Sequence, residues 1–166
     1  MISIPPSLAP AKEEALSLLR QYGVETPPVS FTKILRGLGL SLIEKDFVGD
    51  TSNISGFLDI ENNTIYINAS DNFQRRMFTL AHEIGHFLLH KNILAREPGK
   101  YELVYRSQQI EGIPDPIEQQ ANCFAAHLLV PKTMLDKYYH QASIDQLTTI
   151  FGVSKQVIGY RIATEY

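Results

Sequence analysis

His82-Glu83-Ile84-Gly85-His86 carries the most readable chemistry in this chain. Positions four apart on a helix share a face, so the two imidazoles can reach one ion. Glu83 falls about 100° round the helix from His82, beside such an ion without having to bind it. A carboxylate there can take a proton from water that the ion has acidified. With 5 histidines among 166 residues, this pattern is expected by chance only about 0.01 times, so it carries weight as a metal motif.

A catalytic zinc needs a third protein ligand and an open fourth position. His90 continues the series, but eight residues rise ~12 Å along a helix. Atoms bound to one zinc lie only about 3.3 Å apart. His90 is therefore read as a helix C-terminal residue that meets the dipole or the last carbonyls. A metzincin extension would need glycine at position 89 and histidine at position 92, where the chain has Leu89 and Asn92. Glu118 is a candidate on a downstream helix, with Asn122 one turn on, able to orient a ligand. With Asp115 as the N-cap, Glu118 also occupies the third helical position, where a capping-box glutamate belongs. Spacing alone leaves both roles open, and leaves His127, Glu111, Glu102 and Glu97 as further candidates. Tyr101, Tyr105, Arg106 and His127 are candidate oxyanion donors, with nothing to choose among them.

The elements that must position these groups follow from periodicity. Ala9 to Tyr22 reads as a helix stopped by Gly23, and Phe31 to Leu38 as a second, stopped by Gly39. Leu40 to Ile43 reads as a strand, and Ile54 to Leu58 with Thr64 to Ile67 as a hairpin around Glu61-Asn62-Asn63. Asp71 to His90 is the longest helical pattern, with Phe73, Met77, Leu80, Ile84 and Leu88 on one stripe. Residues 91–114 read as irregular. Asp115-Pro116 opens a helix that Pro131 limits. Ile144 to Phe151 and Ser154 to Thr164 form a final pair broken at Gly152. The expected fold is α+β, with helices around a short antiparallel sheet. Gly85 inside the long helix points to close packing near the metal, and Cys123 to a small buried hydrophobe.

Composition excludes several classes. A 44% hydrophobic and 20% charged chain is not disordered. The single cysteine rules out an internal disulfide. No stretch approaches the ~18 apolar residues of a membrane span. The opening MISIPPSLAP lacks the basic region of a signal peptide, so the cytoplasm is expected. Leu147, Gly152, Val153, Ser154, Ile158 and Arg161 fall at spacings similar to a helix-turn-helix. Within 141–166, however, Lys155 and Arg161 are balanced by Asp145 and Glu165, and the whole chain has a net charge of -3. Without a basic surplus, DNA binding is not expected, and the pair reads as a packing element.

HEIGHFLLH, preceded by RRMFTLA and followed by IEQQANCFAAHLLVP, resembles the ImmA/IrrE family of zinc-dependent metallopeptidases. Ser55-Gly56-Phe57, Ile65-Tyr66-Ile67-Asn68 and the opening helix, double proline and second helix are similar to the family as well. The resemblance implies a small zincin-like metalloprotease domain over 1–166. Its parts would be an N-terminal helical region (1–45), a metal-site core (46–131) and C-terminal helices (132–166). It implies zinc held by His82, His86 and Glu118, with Glu83 as base and Asn122 supporting. It also implies hydrolysis of a peptide bond in a helix-turn-helix repressor, in an anti-repressor or stress-response role. The alternative is a non-enzymatic regulator on the same fold that acts by binding protein or DNA.

Overall fold

The computed structural model describes residues 7–96 and 115–166. Helix α1 (Ala9–Tyr22) starts with proline in its first turn and ends at Gly23, whose positive φ closes the last carbonyls. Helix α2 (Thr32–Leu38) ends the same way at Gly39. Strand β1 (Ser41–Lys45) follows, then β2 (Gly56–Asp59) and β3 (Thr64–Asn68). Helix α3 (Phe73–Arg96) runs past the expected end at His90 by six residues. Helix α4 (Pro116–Leu129) begins where Asp115 caps the Ile117 amide at 3.0 Å. A short α5 (Lys132–Leu135), not foreseen, follows Pro131. Helices α6 (Ile144–Phe151) and α7 (Lys155–Glu165) meet at Gly152.

The architecture is α+β, with one correction. The β2–β3 hairpin is antiparallel, but β1 pairs parallel to β3, Leu42 opposite Ile65. The sheet is therefore mixed, in the order β1-β3-β2, and not antiparallel throughout. Position in sequence did not reveal this, because an intervening turn and hairpin strand bring the chain back to β1 from the far side of β3. On β3, Ile65 and Ile67 are fully buried, while Tyr66 stacks on Phe57 at 4.7 Å on the opposite face. Strand β1 is largely exposed.

The core joins α1, β3, α3, α4 and the C-terminal helices through Ala15, Leu18, Ile65, Leu80, Ile84, Phe124, Leu128 and Phe151. Each large side chain taken from water there contributes about 1.5–3 kcal/mol. Two glycines let α3 come close to its neighbours. A methyl group on Gly85 would lie 2.9 Å from Phe124 Cδ1 of α4. One on Gly56 would lie 2.5 Å from Thr79 Cγ2 of α3 and 2.6 Å from the Tyr66 carbonyl oxygen. The close packing expected at Gly85 is thus against a side chain of α4. Cys123 is buried, as expected.

The C-terminal pair is fastened through Arg161, which is only 1% exposed. Its Nε donates to the Val130 carbonyl at 2.8 Å, past the end of α4. Its Nη1 meets His127 Nε2 and Glu165 Oε1, each at 2.7 Å. Burial, then the adjacent Arg161 charge, pushes His127 down to about 4, so this ring is the neutral acceptor of Arg161. The other cation of the pair, Lys155, is exposed and meets Asp145 at 2.6 Å.

Two stability measurements test this packing. Arg161→Met should cost roughly 3 kcal/mol in urea unfolding, the low end for breaking a buried ion pair, because Glu165 keeps some access to water. Lys155→Met, which breaks an exposed pair, should cost under about 1 kcal/mol. Equal effects would contradict the buried fastening. Gly85→Ala gains about 1 kcal/mol of helix propensity but overpacks against Phe124 at a cost of about 1–3 kcal/mol. The net effect should be destabilising, and Phe124→Leu should relieve it. Additive losses in the double mutant would show that Phe124 is not the obstacle.

Candidate metal centre

His82 and His86 lie on the middle turns of α3, facing α4, and are 7% and 0% exposed. Glu118 sits in the first turn of α4 and reaches across. Its Oε2 lies 3.2 Å from His82 Nε2 and its Oε1 lies 3.1 Å from His86 Nε2. The two Nε2 atoms are 2.9 Å apart. Glu118 therefore faces the imidazoles, while Asp115 alone supplies the helix cap seen at Ile117. Among the described residues, His82, His86 and Glu118 form the group whose donor atoms could hold a metal ion.

These residues fit zinc on two grounds. Ligand atoms bound to one tetrahedral zinc stand about 3.3 Å apart. The two ring nitrogens are 2.9 Å apart, each has a Glu118 oxygen within 3.2 Å, and one ligand atom from each residue lies within 4.8 Å of the others. The donor chemistry also fits. His82 Nδ1 faces Asn122 Oδ1 at 2.9 Å. An amide oxygen only accepts, so Nδ1 carries the proton and Nε2 is left with its lone pair toward Glu118. Two ring nitrogens and a carboxylate that converge in this way, with the His82 proton on the far side of its ring, are a donor set that a zinc ion takes.

The electrostatics agree. Burial alone would push the Glu118 carboxyl up, but hydrogen bonds with His82 and His86 hold it far below the usual carboxylate range. Burial lowers His82, yet Glu118, the Glu83 charge and Asn122 together raise it. Burial pushes His86 down to about 4 against the pull of Glu118. The centre thus combines the Glu118 carboxylate with two imidazoles, and a second buried carboxylate, Glu83, favours positive charge at His82. Glu83 is 2% exposed.

His90 has a place that spacing did not suggest. It is 2% exposed, and its Nδ1 lies 3.1 Å from His86 Nδ1. Its Nε2 lies 2.9 Å from Gln120 Oε1 on α4. It neither ends a helix nor meets the last carbonyls, since α3 continues to Arg96. The signal available in sequence was the i, i+4 step from His86; what it lacked was the partner on α4. His127, weighed as a ligand or oxyanion donor, is turned away to Arg161. Cys123 points to His127 and the Leu8 carbonyl, not to the centre. Glu97, Glu102, Glu111, Tyr101, Tyr105 and Arg106 lie outside the described residues.

A cavity of about 640 Å³ lies one residue away from the centre, lined by neighbours of His82 and not by the three metal-facing residues themselves. Phe78 and Asn122, the neighbours of His82, form one wall, and Val157 and Tyr160 of α7 form another. The last helix, α7, thus lines a space that reaches the neighbours of His82.

Residues 36–163 match the family model of the IrrE N-terminal-like domain, a peptidase family. Metallopeptidase ImmA of Bacillus subtilis is 28% identical over 128 residues, which cover 73% of this chain and 71% of that protein. Radiation response metalloprotease IrrE of Deinococcus deserti is 32% identical over 135 residues, 80% of this chain but 44% of that protein. A solved Mycobacterium tuberculosis transcriptional regulator shares the fold, with a TM-score of 0.66 at 15% identity, over 93% of this chain and 46% of that one. The chain therefore spans less than half the length of the last two. With the family model covering most of the sequence and metallopeptidases among its relatives, this chain belongs to the ImmA/IrrE metallopeptidase family.

Proposed function

We propose that this chain is a zinc-dependent peptidase in which His82, His86 and Glu118 hold the metal and Glu83 is the general base. The observation that supports this is the meeting of the His82 and His86 Nε2 atoms, 2.9 Å apart, with the Glu118 carboxylate, whose two oxygens lie 3.2 and 3.1 Å from them. Zinc held there would supply a Lewis acid that acidifies water and polarises the scissile carbonyl. Glu83 takes the proton from the attacking water as its oxygen adds to the carbonyl carbon. It then gives that proton to the amine nitrogen as the C–N bond breaks. Asn122 holds the His82 ring by accepting from Nδ1, which keeps Nε2 directed at the metal. The neighbouring cavity gives substrate side chains room beside Phe78.

Relatives named as metallopeptidases support a protein substrate. Within that class the resemblance to the family points to a helix-turn-helix repressor, cut to release transcription, in the cytoplasm. A neutral C-terminal pair whose arginine is buried against α4 favours a protein partner over DNA. No helix among the described residues is long and apolar enough to cross a membrane.

Glu83→Gln should fold and keep zinc but lose cleavage, because the amide cannot accept the proton. The measurement is digestion of a helix-turn-helix repressor, the substrate class proposed. Near-wild-type turnover by the variant would rule out Glu83 as the base. Loss of zinc along with turnover would instead make Glu83 part of the metal's environment.

Glu118→Gln should leave the stability of the metal-free protein within about 0.5 kcal/mol of wild type. It should weaken zinc binding strongly, since a neutral amide oxygen is a poor zinc ligand. Chelator competition and metal-free melting read the two effects separately. Wild-type zinc affinity in this variant would remove Glu118 from the ligand set.

A further inference from the structure

We infer that His90 and Gln120 are positioning residues: a one-way hydrogen-bond chain from the N-terminal segment through Gln120 and His90 that fixes the tautomer of His86. The inference rests on the reading of His86 as a zinc ligand.

The chain's direction is set at its outer end. Gln120 Nε2 lies 2.9 Å from the Ser7 carbonyl oxygen. A carbonyl only accepts, so the Gln120 amide nitrogen points to Ser7 and its oxygen to His90. That oxygen, 2.9 Å from His90 Nε2, only accepts as well. His90 Nε2 therefore carries the proton. In the neutral ring, Nδ1 is then an acceptor. It stands 3.1 Å from His86 Nδ1, so His86 donates there and its Nε2 keeps the lone pair. That Nε2 is the atom facing Glu118 and His82.

With His90 neutral, the geometry leaves no second solution without breaking a bond. Were His90 to carry its proton on Nδ1, its Nε2 lone pair would face the Gln120 oxygen. His86 would then have to accept at Nδ1 and put its own proton on Nε2, against the metal. A zinc-binding histidine generally gives its other N–H to a carboxylate, a carbonyl or water. Here the acceptor is a second histidine, one turn along the same helix, and the anchor of the chain is a backbone carbonyl ahead of α1.

The same arrangement separates His90 from a ligand role. Its ring nitrogens are both engaged, one with His86 and one with Gln120. Its effect on the metal passes wholly through the His86 ring.

The test combines ring-nitrogen NMR with zinc affinity by chelator competition, in full-length protein. Two-bond proton–nitrogen correlations should show the Nε2–H form of His90 and the Nδ1–H form of His86, before and after zinc. His90→Leu, similar in volume but without an acceptor, should bind zinc about 10- to 100-fold more weakly. His90→Asn, whose side-chain oxygen stands near the lost Nδ1, should recover most of that loss. Gln120→Leu, at a half-buried position, should also weaken binding, and it decides the matter should His90→Leu fail to fold.

A His90 ring protonated on Nδ1, or unchanged zinc affinity in both leucine variants, overturns the chain while the zinc site stands. Absence of zinc binding by the wild-type protein overturns the metal reading itself. The ring tautomers then decide the chain alone.

Discussion

The whole site depends on how closely two helices approach. Three ligand atoms must stand about 3.3 Å apart to share one zinc, and they come from α3 and α4. Helix axes usually lie 8–10 Å apart, according to the side chains between them. At Gly85 there is no side chain, and Phe124 of α4 fills the space. Gly56 performs the same service on the sheet side, where Thr79 of α3 presses against β2. A glycine inside a helix costs about 1 kcal/mol. Here that cost is offset by the burial of Phe124, Ile84 and Leu80 around it.

Helix α4 serves as the hub for this arrangement. One stripe, Glu118 and Asn122, faces the histidines of α3. Phe124 meets Gly85. Gln120 reaches the Ser7 carbonyl ahead of α1, and Cys123 approaches that of Leu8. At its far end, His127 and the Val130 carbonyl receive Arg161 from α7. Nearly every polar side chain placed in this core therefore has a directed partner, as burial demands. The N-terminal segment and the C-terminal helices hold α4 from two sides. A displacement of about 1 Å at Glu118 would spoil the metal geometry, so these distant contacts matter to the centre.

A helix-turn-helix spacing in the C-terminal pair has a structural use that does not involve nucleic acid. Leu147, Val153 and Ile158 are buried, and the arginine that a DNA reader would expose is folded into the core. The second helix of the pair, α7, also lines the cavity that reaches Phe78 and Asn122 beside His82. Helices joined by a tight turn suit both tasks, because the turn fixes their angle and leaves one face of each free to pack.

Local patterns were enough to read much of this protein. The boundaries of α1, α4 and α6 follow from proline, glycine and capping residues, which act over one turn. The pairing of His82 with His86 follows from the helical repeat, again a matter of four residues. Parallel pairing of β1 with β3 was hidden, because strand order depends on which hydrophobic faces meet and not on adjacency. The choice between cap and ligand for Glu118 was also hidden. Both roles use the same residue at the same helical position, and only the approach of α3 separates them. His90 was misplaced for the same reason: its function lies in Gln120, thirty residues on, and in the carbonyl that orients Gln120. What the sequence determined by itself were the helices and the donors each one carries. What only the tertiary structure decided was which donors face one another, because a distance of 3 Å between two helices is set by packing and not by any local preference of the chain.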